Sequence, residues 1–220
     1  MLIEYGVRMT VDGRLARGER TRAAALDAAV ALATEAGLHG LSLAQLADTL
    51  GVSKSGLFAH WRSKEALQLA AVDRAVEQWQ ERIVAPALAA PRGVRRIRAL
   101  HDARVDFYAA RVLPGGCFFA NTQFEYNVRP GPVRDRLAEA YGQWTAFLER
   151  LVEQGVEVGE LPADLDVAQL AYEIDSLGMS AAMQSRMLDP DAAYRHARRG
   201  VLDRLRALCP DPTLLPEGNR

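Results

Sequence analysis

The stretch Leu41–Leu67, LSLAQLADTLGVSKSGLFAHWRSKEAL, constrains this chain more than any other. It reads as a helix, a tight turn and a second helix, with almost no residue to spare. Ser42 is a good helix N-cap, and Gln45 three residues later completes a capping box. Leu43, Leu46, Ala47 and Leu50 recur at helical spacing and give one apolar face. Gly51 ends that helix, because glycine takes the left-handed conformation of a sharp turn without a steric cost. Val52 plugs the turn, and Ser53 caps the next helix. There Leu57 and Trp61, four apart, face inward, while Lys54, Ser55, Ala59 and His60 leave an outer side that is small or polar. Such a surface fits a DNA major groove. The pattern is that of a helix-turn-helix.

The block from about Glu19 to Gln78 resembles the DNA-binding domain of the TetR family of transcriptional regulators. The resemblance rests on Gly37, on Gly51-Val52-Ser53, on the pair Leu57-Phe58, on Trp61 and on Ser63-Lys64-Glu65-Ala66-Leu67. Three residues depart from the family pattern. Phe58 stands where Tyr is usual and lacks the hydroxyl that reaches a phosphate, Trp61 replaces Phe, and Ala33 occupies a position often filled by Phe. The resemblance implies an all-α fold of about nine helices, with a three-helix head carrying the helix-turn-helix and a larger helical body. It also implies a homodimer on a palindromic double-stranded DNA operator, and a body that holds a small inducer. Repression rather than activation is the family expectation.

Length and composition agree with that layout. A chain of 220 residues, 49% of them hydrophobic and only 7% of the chain aromatic, suits helices packed closely through Ala and Leu. No apolar run approaches the roughly 18 to 20 residues that span a bilayer. The first 18 residues lack the unbroken apolar core of a signal peptide. Cys117 and Cys209 lie far apart, which fits reduced thiols in a cytoplasmic protein. The net charge of −1 excludes a wholly basic nucleic-acid binder. Residues 13–22, GRLARGERTR, nevertheless carry four Arg against one acid, and both lysines of the chain, Lys54 and Lys64, lie in the motif. A dimer would set two such local basic surfaces side by side.

In chain order, residues 1–18 read as a flexible tail or an arm carrying Arg14, Arg17 and Arg20, with Thr21 capping the first helix. Leu26, Ala29, Val30 and Ala33 form that helix's inner face. The head spans 19–79 with its motif at 42–61. The body spans 80–210, and 211–220 reads as a second flexible tail. Pro114-Gly115-Gly116 and Arg129-Pro130-Gly131-Pro132 are loops on either side of CFFANTQFEYN. Residues 167–187 are almost uncharged apart from Glu173, Asp175 and Arg186.

The expected DNA contacts are Ser42, Ser53, Lys54, Ser55, Gly56, Phe58, Ala59, His60 and Lys64, with the lysines on phosphates and Gly56 permitting close approach. The aromatic residues of the body, Phe124 and Tyr141 among them, admit two readings. They fill a solid core, or they enclose a cavity for a small hydrophobic or aromatic effector. The second reading assigns Phe107, Phe118, Phe119, Asn121, Gln123, Tyr126, Trp144 and Phe147 to the ligand, with Glu125 as a further polar anchor. Met179, Met183 and Met187, four apart, together with Tyr172, are either core or the twofold interface that the last two helices form in the family. His39, His101 and His196 lack metal-ligand spacing, and no nucleotide loop or catalytic triad order is present. No cofactor is expected and no membrane partner. An effector-independent DNA binder, a helical enzyme and an interaction module are the alternative classes.

Overall fold

Serine and aspartate caps with glycine stops cut the chain into helices in a computed structural model that describes residues 13–216. Helix α1 (Gly13–Ala36) begins at Gly13, so Thr21 lies inside it rather than at its cap. Residues 13–18 are therefore helical and not part of an irregular tail, because Leu15, Ala16 and the arginines around them are good helix formers. The remainder of the expected arm, residues 1–12, lies outside the described residues. Gly37, at φ +82°, closes the helix.

The next three helices begin as the capping rules require. Helix α2 (Leu43–Leu50) starts with Ser42 Oγ accepting from the Gln45 N–H at 3.2 Å and stops at Gly51, φ +63°. Helix α3 (Lys54–Phe58) starts with Ser53 Oγ accepting from the Gly56 N–H at 3.3 Å. Helix α4 (Lys64–Trp79) starts with Ser63 Oγ accepting from the Ala66 N–H at 3.0 Å. It then continues through a π-helical turn (Gln80–Val84) into α5 (Ala85–Leu88). Pro86 explains the wide turn, since it cannot donate to the preceding turn and crowds its carbonyl.

The body consists of α6 (Val94–Ala109), α7 (Phe118–Tyr126), α8 (Pro132–Glu157), α9 (Val167–Met187) and α10 (Pro190–Leu208). Counting the rod from Lys64 to Leu88 once, the described residues form nine α-helices and no strand. Helix α6 is the axis of the body and packs on α5, α8, α9 and α10. Glu160 accepts from the Val94 N–H at 2.8 Å and so caps α6 from a distant loop. Arg198 on α10 reaches Asp102 and Asp106 on α6, both at 2.8 Å. Among the described residues no helix is long and apolar enough to cross a membrane.

The C-terminal segment is docked as far as the structure describes it, contrary to the flexible tail expected for 211–220. Leu215 is fully buried, and its carbonyl accepts from Arg206 Nε at 2.7 Å. The Pro216 carbonyl accepts from Arg98 Nη1 at 2.6 Å. One leucine and two arginines tie down what the proline-rich composition alone reads as loose.

His101, on α6, is buried, and the Ala197 backbone beside its ring only partly offsets that burial. Burial, reinforced by the nearby Arg104, lowers its pKa to about 3. The unfolded chain therefore takes up a proton near its ordinary pKa of about 6.5, which the folded chain refuses until about pH 3. Stability falls as the pH drops through that window. Between pH 7 and pH 5 this residue should cost roughly 2 kcal/mol, and His101→Leu should lack that loss. Urea unfolding of both proteins at the two pH values checks it; equal acid sensitivity would show that other groups dominate.

Candidate functional site

The head presents one continuous outer surface. Leu57 and Trp61 are buried, which fixes the roll of α3 and leaves Ser53, Lys54, Ser55, Gly56, Phe58, Ala59 and His60 exposed. Lys64 is exposed at the start of α4, and Ser42 is half-buried at the start of α2. Helix α3 is short, and Ser53 Oγ at its start also lies 3.2 Å from Ser55 Oγ. Arg22 sits over the Trp61 ring at 5.8 Å and covers the back of the motif. Phe58, half exposed, offers an apolar edge with no hydroxyl.

The body holds a cavity of about 70 Å³ between the α4 rod, α6, α7, α8 and α9. Its aromatic wall is Trp79, Phe119, Tyr141, Trp144 and Phe147. Trp79 meets Phe119 and Trp144 edge-on, at 5.5 and 5.4 Å between ring centres. At one end lies a buried ion pair, Arg104 Nη1 to Asp175 Oδ1 at 2.8 Å. The same carboxylate accepts from Trp144 Nε1 at 2.8 Å and from the Tyr141 hydroxyl at 3.1 Å. Burial and the neighbouring Asp175 raise the Tyr141 pKa, so the hydroxyl stays protonated and donating. Arg104 Nε donates to the Tyr108 hydroxyl at 2.8 Å, and its guanidinium packs over Trp79 and Trp144. Gly178 makes this possible, because a Cβ there would lie 2.5 Å from Arg104 Nη1.

Of the eight residues expected around a ligand, Phe119, Gln123, Trp144 and Phe147 line this cavity. The other four do not. Phe107 and Phe118 are core, Phe107 against Trp79 at 6.1 Å and Phe118 against Phe119 at 5.4 Å. Tyr126 is buried beside His39, 6.4 Å away, and burial pushes its hydroxyl pKa up to about 12. Asn121 faces the head, donating to the carbonyls of Thr34 at 3.0 Å and Gly115 at 3.1 Å. Glu125 also leaves the cavity, since its two oxygens accept from the Leu38 and His39 N–H groups at 2.8 Å each. Sequence reasoning missed Arg104, Asp175 and Trp79. Asp175, one of only three charged residues on its helix, was the available signal, because a carboxylate buried there needs a partner.

Helix α7 thus has two working faces. One carries Phe119 and Gln123 into the cavity, and the other carries Asn121 and Glu125 onto the C-terminal end of α1. Gly115, just before α7, donates to Thr34 Oγ1 at 2.9 Å and lies so close to the Thr34 carbonyl that a side chain there would collide. On the last helices, Met179 turns into the cavity, so it is not on the outer face with its neighbours. Tyr172, Met183 and Met187 are exposed, Met187 at 86%.

The clamp on α1 can be measured by itself. Glu125→Ala leaves the part-buried Leu38 N–H without its acceptor and should cost about 1 to 3 kcal/mol of unfolding free energy. Urea denaturation checks this, and a loss within a few tenths of a kcal/mol would mean water replaces the carboxylate freely.

Comparison with known proteins gives the same architecture a family. Residues 25–71 match the family model described as bacterial regulatory proteins, tetR family, and residues 93–201 match the tetracyclin repressor-like C-terminal domain. The HTH-type transcriptional repressor ComR of Escherichia coli strain K12 is 25% identical over 166 residues, 75% of this chain and 79% of that protein. A TetR transcriptional regulator from Chloroflexus aurantiacus is 29% identical with a TM-score of 0.77, covering 84% of this chain and 93% of its own. AibR, solved in complex with isovaleryl coenzyme A and operator DNA, shares the fold at 20% identity and a TM-score of 0.65, over 85% of this chain and 97% of its own. With both family models matched in order, on a head that carries the helix-turn-helix and a body that carries the cavity, this chain belongs to the TetR family of transcriptional regulators.

Proposed function

We propose that this regulator is a ligand-responsive repressor acting in the cytoplasm, which binds a palindromic operator as a homodimer and releases it when a small molecule occupies the body. The observation that carries the reading is the double attachment of α7, to the cavity through Phe119 and Gln123 and to α1 through Asn121 and Glu125. A molecule that displaces Phe119 acts on the same short helix that seats the head. The cavity supports this, since about 70 Å³ is half the roughly 150 Å³ that accepts benzene, and a ring-sized guest must move a wall. A neighbour of the same fold, AibR, has been captured with an acyl-coenzyme A and operator DNA together.

On the DNA side, two α3 helices in successive major grooves match a two-fold site. Lys54 and Lys64 neutralise phosphates, while Ser55, Ala59 and His60 lie nearest base edges, with Gly56 letting the backbone approach. Ser42, Ser53 and the apolar edge of Phe58 complete the contact surface. The dimer forms through the exposed side of α9 and α10, with Tyr172, Met183 and Met187 at its centre. Release obeys linkage. A ligand that lowers operator affinity tenfold has its own affinity lowered tenfold by the operator, a coupling of about 1.4 kcal/mol.

The test begins with DNA selected from a random pool by the full chain. Lys54→Ala and Lys64→Ala should each weaken selected and scrambled DNA alike and flatten the salt dependence by about one phosphate contact per substituted position. Met183→Glu places like charges across the proposed twofold interface and should give monomers in sedimentation, with operator affinity lost. Selection of sites without two-fold symmetry, or a Met183→Glu dimer with normal binding, would reject the dimeric operator reading. A ligand that binds the body yet leaves operator affinity unchanged would favour an effector-independent DNA binder.

A further inference from the structure

We infer that the cavity selects an uncharged aromatic molecule bearing a carbonyl oxygen, seated with that oxygen on Nη2 of Arg104; the inference rests on the effector reading above. Three observations converge on it. The first is an unspent donor. Arg104 is buried and lines the cavity; Nε is taken by Tyr108 and Nη1 by Asp175, while Nη2 makes no hydrogen bond among the described residues. A guanidinium cannot lose its proton, so these N–H groups demand an acceptor.

The second observation is charge balance. Arg104 and Asp175 neutralise one another at 2.8 Å, and no other charged side chain lines the cavity among the described residues. An anionic guest would leave one negative charge uncompensated beside Asp175, and a cationic guest one positive charge beside Arg104. An uncharged guest leaves the pair balanced. The third is the wall. Trp144, Phe119 and Phe147 offer ring faces and edges, with Met179 as a pliable contact, which suits a flat ring better than a flexible chain.

The pair itself supports a recognition role. A buried ion pair adds little stability over a packed apolar pair. Here it requires Gly178 to leave room, and Tyr141 and Trp144 to complete the carboxylate's hydrogen bonds. Those supports hold the guanidinium in place at the cavity wall with Nη2 unpaired.

The experiment titrates the full chain with benzamide, benzoate, benzyltrimethylammonium and ethylbenzene, four probes of similar ring size, by calorimetry and tryptophan fluorescence. Benzamide should bind about tenfold or more tightly than each of the others, the worth of a hydrogen bond from a charged donor. In the double variant Arg104→Met with Asp175→Asn, benzamide should fall to the level of ethylbenzene, with circular dichroism confirming the fold. The probe series on the parent protein decides the matter even if that variant does not fold. Tightest binding of benzoate or of the ammonium probe overturns the charge argument, and equal binding of ethylbenzene overturns the Arg104 hydrogen bond. No binding of any probe overturns the whole inference. Operator affinity is measured alongside. Benzamide that binds as expected without weakening the operator would sink the effector reading and leave the cavity's selectivity standing.

Discussion

The C-terminal end of α1 is where the two parts of this molecule are joined, and its geometry depends on a few polar atoms. A helix end leaves carbonyls unpaired, and the loop behind it leaves N–H groups unpaired. Here both are met from the body. Asn121 donates to the Thr34 carbonyl, and Glu125 accepts from Leu38 and His39. From the other side, Gln68 of α4 donates to the Leu38 carbonyl at 2.7 Å. One turn of chain is therefore held by the motif's own support helix and by α7 at once. Gly37 and Gly115 are the two positions where a side chain would prevent it, the first against Glu125 and the second against the Thr34 carbonyl. The head cannot shift on α7 without breaking charge-assisted hydrogen bonds, which are stronger than neutral ones.

Much of the head was legible because its rules are local. Ser42, Ser53 and Ser63 each sit three residues before the N–H they accept, and Gly51 is left-handed where the turn requires it. The start of α1 and the docking of Leu215 were not legible. The first turns on a run of ordinary helix formers that continues past a plausible cap, and the second on Arg206 holding the Leu215 carbonyl while Arg98, more than a hundred residues away, holds that of Pro216. The cavity was half legible for a geometric reason. On an α-helix, residues 119 and 123 share one face and 121 and 125 another, so CFFANTQFEYN already separates its polar groups into two sets. Which set meets the cavity depends on the packing of α7 between α1 and α8, and no local pattern carries that information.

The methionines of α9 show the same limit in another form. A step of four residues advances about 40° beyond a full turn, so Met179 and Met187 differ by about 80° in direction. That drift carries the stripe from the cavity at Met179 to full exposure at Met187, with Met183 between. A spacing of four looks like one face in sequence and serves two environments in the fold. Asp175, four residues before Met179, is on the cavity side, while Tyr172 is exposed. The helix thus combines an inward polar anchor and an outward apolar surface without a break in its backbone.

The cavity's position gives the proposed switch two levers. Val76, Trp79 and Gln80 belong to the rod that begins at Lys64, just after the motif, and Phe119 and Gln123 belong to α7. Both walls lead to the head, whereas Trp144, Phe147 and Asp175 on α8 and α9 belong to the body alone. Under the proposed function a ring that enters between them acts as a wedge between head-bearing and body-bearing helices. The rod is held to α8 at its rim by Arg136 and Asp73 at 2.8 Å, an exposed pair of small worth. Its π turn lies beside the cavity, at Gln80–Val84, where the regular helical hydrogen-bond ladder is already interrupted. Bending there costs less than bending a regular helix. Under the proposed function the rod would yield on the side away from the head, while α7, clamped at Asn121 and Glu125, would carry its displacement to α1.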